Sequence, residues 1–252
     1  MSLKTELRGF ILNGWGQMNS RLRYLGPWGT AMYVPYRLIN LLLPFKSFTC
    51  VAVDLSQRHV DLDDQVHDVR LLRIDEIEEL TRREGADVTK EFTRRAIDKG
   101  DECFGAMIDG VVESYVWVAH SPTVLMDDLT VCFDEGIGYV YKAFTMPPSR
   151  GRGLMPALLA TALRESAIHK CRAVVACIES PNLPSFRAFR AAGFLAFETI
   201  HIAKAFGRFR ILPSRGSNRF GFRVLREVCL KAEPDGTRTS EPSNMPTGNA
   251  SF

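Results

Sequence analysis

A chain of 252 residues, 46% of them hydrophobic, can bury a full core, either as one domain with additions or as two small ones. The net charge of +3 hides an uneven layout: residues 1–60 carry 7 basic and 2 acidic side chains, 61–136 carry 8 and 20, and 137–252 carry 17 and 7. Six scattered cysteines without a C-x-x-C pair argue against a disulfide framework and for a reducing, cytoplasmic setting, and the N-terminus lacks the apolar run and small-residue cleavage site of a signal peptide.

The first sixty residues combine turn signals and aromatics with an apolar segment, Leu38 to Phe45, flanked by Arg37 and Lys46. That segment is far below the ~20 residues a spanning helix needs. It reads as a helix packed on the main domain, with an interfacial helix resting on anionic lipid as the alternative. From Val69 the pattern becomes regular. "VRLLRI" reads as a strand, "DEIEELTRR" as a helix start with acidic residues in its first turn, and "TKEFTRRAIDKG" as a second helix closed by Gly100. Asp109-Gly110 between two β-rich runs is a hairpin signal. The alternating run "IGYVYKAFTM" then leads to a helix from about Leu154 to His169, a strand "AVVACIE", a helix "SFRAFRAAG" and a strand "FLAFETIHIAKAF". This order predicts an α/β fold with a mixed sheet and helices on its faces. Three parts are expected: an N-terminal extension over 1–60, a main domain over 61–232, and a disordered tail over 233–252, where large apolar residues are few. The basic last part lacks a groove-reading module, so no nucleic-acid partner is expected.

The most informative stretch is "TMPPSRGRGLMPALL", Thr145 to Leu159. A strand that runs into a glycine-rich turn and then a helix presents unpaired N–H groups and the positive end of a helix dipole, which is how proteins hold phosphate. Gly151 and Gly153 would let a ligand approach the backbone, Arg150 and Arg152 add charge, and Pro156 is harmless in the first helical turn. The competing reading is a glycine-relieved turn with solvated arginines. Neither G-x-x-x-x-G-K-[ST] nor a full G-x-G-x-x-G with its distant acidic residue is present, which argues against a nucleotide triphosphatase and a classical dinucleotide binder.

Residues 69 to 205 resemble the GCN5-related N-acetyltransferase (GNAT) family. Arg150, Gly151, Arg152, Gly153, Leu154 and Met155 occupy its motif R/Q-x-x-G-x-G/A, with Met155 in place of the usual small residue. Asn182, Ser185, Phe189, Gly193 and Phe194 match a second block, N-x-x-S followed by an aromatic and G-F. The resemblance implies a mostly antiparallel central sheet flanked by helices. It also implies acetyl-CoA or another acyl-CoA as cosubstrate, with no metal. The pantetheine would pair with backbone around Phe144, Thr145 and Met146, and the pyrophosphate would lie on the amides of Arg150 to Met155. The strands on either side of the following helix would splay apart, with the thioester in the gap. Asn182 and Ser185 are carried over as cofactor-binding residues. Phe189 stands where many members carry a proton-donating tyrosine. Tyr139 stands where some members keep a general-base glutamate, and Tyr141 projects from the same strand face. These two tyrosines are the candidate catalytic groups, with Glu179 and His201 also near the expected cleft. The expected activity is acylation of an amine, on a small molecule or a peptide, by direct attack within a ternary complex. A longer-chain acyltransferase and a CoA-binding module without catalysis are the other readings.

Overall fold

Asp109 and Gly110 both adopt positive φ, 52° and 77°, the pair of left-handed residues that a two-residue hairpin turn requires. In the computed structural model they join β3 (Glu102–Ile108) to β4 (Val111–Ala119). The structure describes residues 45–56, 68–126, 128–205, 208–213 and 219–226. The expected helix over Leu38 to Phe45, apart from Phe45 itself, and the expected tail over 233–252 lie outside these residues.

Eleven strands and four α-helices are described. β1 is Phe45–Asp54 and β2 is Asp68–Leu71. Helix α1 spans Ile74–Arg82, so the expected strand "VRLLRI" ends three residues early and its last residue opens the helix. There Glu76 reaches back to the Arg73 N–H at 2.9 Å and completes a capping box, which makes helix cheaper than continued strand. Helix α2 (Lys90–Lys99) begins at Thr89, whose hydroxyl accepts from the Phe92 N–H, and ends at Gly100 with φ 84°. After β3 and β4 come β5 (Thr123–Met126), β6 (Leu129–Cys132) and β7 (Ile137–Thr145). Helix α3 (Leu154–Ile168), β8 (Ala173–Glu179), helix α4 (Leu183–Ala191), β9 (Leu195–Ala205), β10 (Arg208–Pro213) and β11 (Arg223–Arg226) follow.

Eight strands form the main sheet in the order β10-β9-β1-β8-β7-β4-β3-β2. Only β7 and β8 run parallel; every other neighbouring pair is antiparallel. This is the mixed, mostly antiparallel sheet expected from the sequence. Phe45–Asp54, which the sequence places in the N-terminal extension, is an interior strand between β8 and β9. Its run "FKSFTCVAVD" is apolar enough to be covered on both faces, and it finds partners only through strands more than a hundred residues away.

Helices α3 and α4 cover one face, where Leu158, Leu159 and Phe194 pack with Val51, Val116, Val140 and Val174. On the other face α1 and α2 cover the β2–β4 end through Ile77, Leu80 and Ala96 against Tyr115 and Trp117. The rest of that face is covered by a second sheet, β11-β6-β5, packed through Leu129, Val131 and Val224 on Cys50, Tyr139 and Val175. The stretch "TVLMDDLTVC" supplies two of these three strands.

Candidate functional site

β7 and β8 pair from Ile137↔Ala173 to Val140↔Ala176 and no further, although β7 continues to Thr145 and β8 to Glu179. The cause lies in β7. Lys142 adopts φ 50°, and the register against β4 jumps from Trp117↔Tyr141 to Tyr115↔Phe144. Two β7 residues thus face one β4 residue, a bulge that bends the strand. Lys142 is held there by Asp87 at 2.9 Å and by the ring of Phe92. This leaves a gap in the pairing between Tyr141–Thr145 and the end of β8, where the β8-facing side of β7 has no strand partner.

The glycine-rich turn starts where β7 ends. The Met146 N–H donates to the Glu113 carbonyl at 2.8 Å. Pro147–Ser149 then form one 3-10 turn, in which the Ser149 hydroxyl donates to the Glu113 carboxylate at 2.5 Å. Arg83 binds the other Glu113 oxygen and the Val112 carbonyl. Arg150 folds back, its Nε donating to the Thr145 carbonyl at 3.1 Å with the guanidinium 5.8 Å from the Phe144 ring centre. Gly151 and Gly153 take φ 77° and 78°, conformations that cost an L-residue about 1–2 kcal/mol. A Cβ at Gly151 would meet nothing within 4 Å, so the backbone there lies open to an approaching ligand. Gly153 caps α3 without a side-chain hydrogen bond, and the first turn of this 15-residue helix carries no acidic residue. The Leu154 and Met155 amides precede the first intrahelical bond, Ala157 N–H to the Gly153 carbonyl. Amides, a positive helix end and the exposed Arg152 therefore lie together at one turn.

Glu113, which has no motif in the sequence, ties this turn to β4. Burial works against its charge. The hydrogen bonds from Ser149 and Arg83, with the charges of Arg83 and Arg152, outweigh burial and hold its carboxyl below the usual value of 4.5. A lowered folded-state pKa gives stability that is complete above the unfolded value and fades as pH falls through the folded one. Glu113→Gln should lower thermal stability at neutral pH, by about 1–3 kcal/mol for charge-assisted hydrogen bonds lost in a partly buried site. Thermal unfolding followed by circular dichroism should show the gap to wild type shrinking below pH 4.5. A gap independent of pH would remove the Glu113 charge from the account.

The two candidate catalytic tyrosines project on the α1–α2 side of the sheet and stack 5.9 Å apart, 9° from parallel. Tyr139 is 2% exposed and shares a hydrogen bond with Cys177; burial raises its pKa well above the ordinary value of 10.0. The Tyr141 hydroxyl donates to Asp101 Oδ2, which lies 3.0 Å from Lys99 Nζ. Burial and the hold of the Asp101 carboxylate on its proton raise the Tyr141 pKa as well. The Asp101 side chain is 1% exposed and follows the cap of α2 directly, a place where the sequence offers no functional signal. Phe189 is buried against Phe194 with ring centres 5.0 Å apart, as part of the core under α3. Asn182 accepts from the Ser185 N–H at 3.3 Å and caps α4, a local structural role for the pair. His201 stacks on Phe45 at 5.6 Å, two strands from the gap. Glu198, another residue without a sequence signal, is buried on β9 opposite Cys50, and burial raises its pKa.

A family model described as the Acetyltransferase (GNAT) family matches residues 69–194, half of the chain. The chain belongs to the GNAT acetyltransferase family. Solved structures similar to it include a GNAT-family protein from Novosphingobium aromaticivorans (16% identity, TM-score 0.46, 68% of this chain and 66% of that one). A GCN5-related N-acetyltransferase from Sphaerobacter thermophilus is also similar (14%, 0.47, 71% and 56%). So is AAC(6')-Iy in complex with a bisubstrate analogue (18%, 0.41, 52% and 92%). The matched part spans less than two thirds of the first two proteins. No curated protein matches the chain.

Proposed function

We propose that this chain is an acyl-CoA-dependent N-acyltransferase, with acetyl-CoA as donor and an amine on a small molecule or peptide as acceptor. The observation that carries this reading is the gap between β7 and β8, which opens at the bulge and leads directly to the glycine turn at the start of α3. The pantetheine arm would lie along the β8-facing side of β7 around Phe144 to Met146, and the pyrophosphate would take the amides from Arg150 to Met155. Arg150 serves the arm more than the phosphates, because its Nε holds the Thr145 carbonyl. The thioester then lies beside Tyr141 in the gap.

In this scheme the neutral amine attacks the thioester carbon, the carbonyl oxygen takes the negative charge, and collapse expels the CoA thiolate. The incoming amine loses one proton. Tyr141 and Asp101 are suited to accept it: the Tyr141 oxygen takes the proton from nitrogen as its own passes to the Asp101 carboxylate. The raised pKa keeps Tyr141 a phenol between turnovers. Tyr139, enclosed and bonded to Cys177, supports Tyr141 by stacking. Phe189 has no proton to offer, and a thiol of ordinary pKa, near 8.5, leaves as thiolate tolerably well without one. None of the five described cysteines is in a disulfide, which suits the reducing cytoplasm proposed as the setting. Among the described residues no helix is long and apolar enough to cross a membrane.

Chromatography of free CoA, after incubation of the full chain with acetyl-CoA or longer acyl-CoAs and a mixture of primary amines, tests the reading. Amine-dependent CoA release, fastest from acetyl-CoA, is the expected result. Faster release from the longer donors would replace acetyl transfer by long-chain transfer. CoA binding with no release from any donor would favour the module without catalysis, the reading that Phe189 supports.

A further inference from the structure

We propose that Glu102, His120 and His169 form a binding site for one divalent transition-metal ion, at the end of the molecule opposite the glycine turn. The three residues come from separate elements: Glu102 opens β3, His120 follows the last residue of β4, and His169 is the C-cap of α3. Their ligand atoms all lie within 4.8 Å of one another. His120 Nε2 stands 3.0 Å from one Glu102 oxygen, and His169 Nδ1 stands 3.5 Å from the other. Tetrahedral ligands at about 2.0–2.2 Å from a zinc ion are about 3.3–3.6 Å apart, so small side-chain rotations bring this trio onto one ion.

Three further features favour a cation here. The second nitrogen of His120, Nδ1, lies 3.8 Å from the buried Cys171 sulfur. An outer partner of that kind orients a ligating imidazole and sets which nitrogen faces the metal. The C-terminal end of α3, 15 residues long, points its partial negative charge at the cluster, with no basic residue in the last helical turn. The His120 and His169 side chains are 34% and 48% exposed, which leaves an entry path and room for water to complete the coordination. Two imidazoles and one carboxylate suit Zn²⁺, Co²⁺ or Ni²⁺ better than Mg²⁺ or Ca²⁺, which prefer all-oxygen shells.

The site is structural in character. It lies at the other end of a helix about 22 Å long from the glycine turn, and it clamps the end of α3 to β3 and β4. An ion bound there stabilises the folded chain by an amount that grows with the logarithm of its free concentration relative to Kd. This inference does not depend on the acyl-transfer reading.

The test titrates Zn²⁺ by calorimetry into the chelator-treated full chain, and Co²⁺ by its visible spectrum, at slightly alkaline pH, because metal binding must displace protons from its ligands. The expected result is one ion per chain, a Co²⁺ spectrum of low-coordinate type and a higher melting temperature with Zn²⁺. His169→Ala, at a half-exposed position, and Glu102→Gln should each weaken Zn²⁺ binding by about tenfold or more, with loss of the thermal shift. The variants share with wild type His59, His67 and all six cysteines, so binding elsewhere is subtracted. Zn²⁺ affinity and melting shift that are equal in wild type and folded His169→Ala would overturn the site, as would the absence of Zn²⁺ uptake by wild type.

Discussion

Exchanging Gly153 for glutamate should weaken CoA binding by at least tenfold, ~1.4 kcal/mol, in a chain that still folds. Two effects act together. Gly153 sits at φ 78°, where a side chain adds about 1–2 kcal/mol of backbone strain and tends to reshape the turn. The new carboxylate would also stand at the start of α3, on the amides proposed to hold the pyrophosphate, and repel it. Gly153→Asn separates the two, because asparagine tolerates the left-handed region and adds no charge. Calorimetry with CoA should therefore rank wild type, then Gly153→Asn, then Gly153→Glu. Equal affinities in folded variants would move the phosphates away from this turn.

The second large effect is expected on turnover. Tyr141→Phe and Asp101→Asn should each lower kcat by the ~10²- to 10⁴-fold typical of general acid–base catalysis. The KM for acyl-CoA should stay near wild type, since the lost interaction acts on the amine in the transition state. The double variant should be scarcely worse than either single one, as for any two groups that act as a unit. Tyr139→Phe should cost far less, because its hydroxyl is turned to Cys177. Steady-state rates of CoA release measure all four. Wild-type kcat in Tyr141→Phe would remove the relay and leave positioning of the substrates to account for the rate.

Much of the turn proposed for CoA was legible because its physics is local. A strand, two glycines and a helix start lie within fifteen residues, and nothing distant is needed to leave amides unpaired at a helix N-terminus. The hairpin at Asp109-Gly110 and the caps of α2 at Thr89 and Gly100 were readable for the same reason, since each is decided by φ and one or two hydrogen bonds. The splay of β7 from β8 came only through the family resemblance. Its physical cause, the left-handed Lys142, carries none of the usual glycine or asparagine signal.

Contacts between distant segments decided the rest. Asp101 reaches Tyr141 across 40 positions and Glu113 reaches Ser149 across 36, while Glu102, His120 and His169 form no spaced motif in the sequence. β1 is the clearest case. Its thiol at Cys50 meets Cys177 at 3.7 Å across 127 positions, and the strand lies inside the sheet although the turn-rich sequence before it reads as a separate extension. Hydrophobic periodicity specifies that a run of residues must bury one or both faces, but burial is non-directional and any apolar surface satisfies it. Which strand lies beside which, and so which side chains share a site, follows from register and packing summed over the whole sheet, a quantity that no local window of sequence contains.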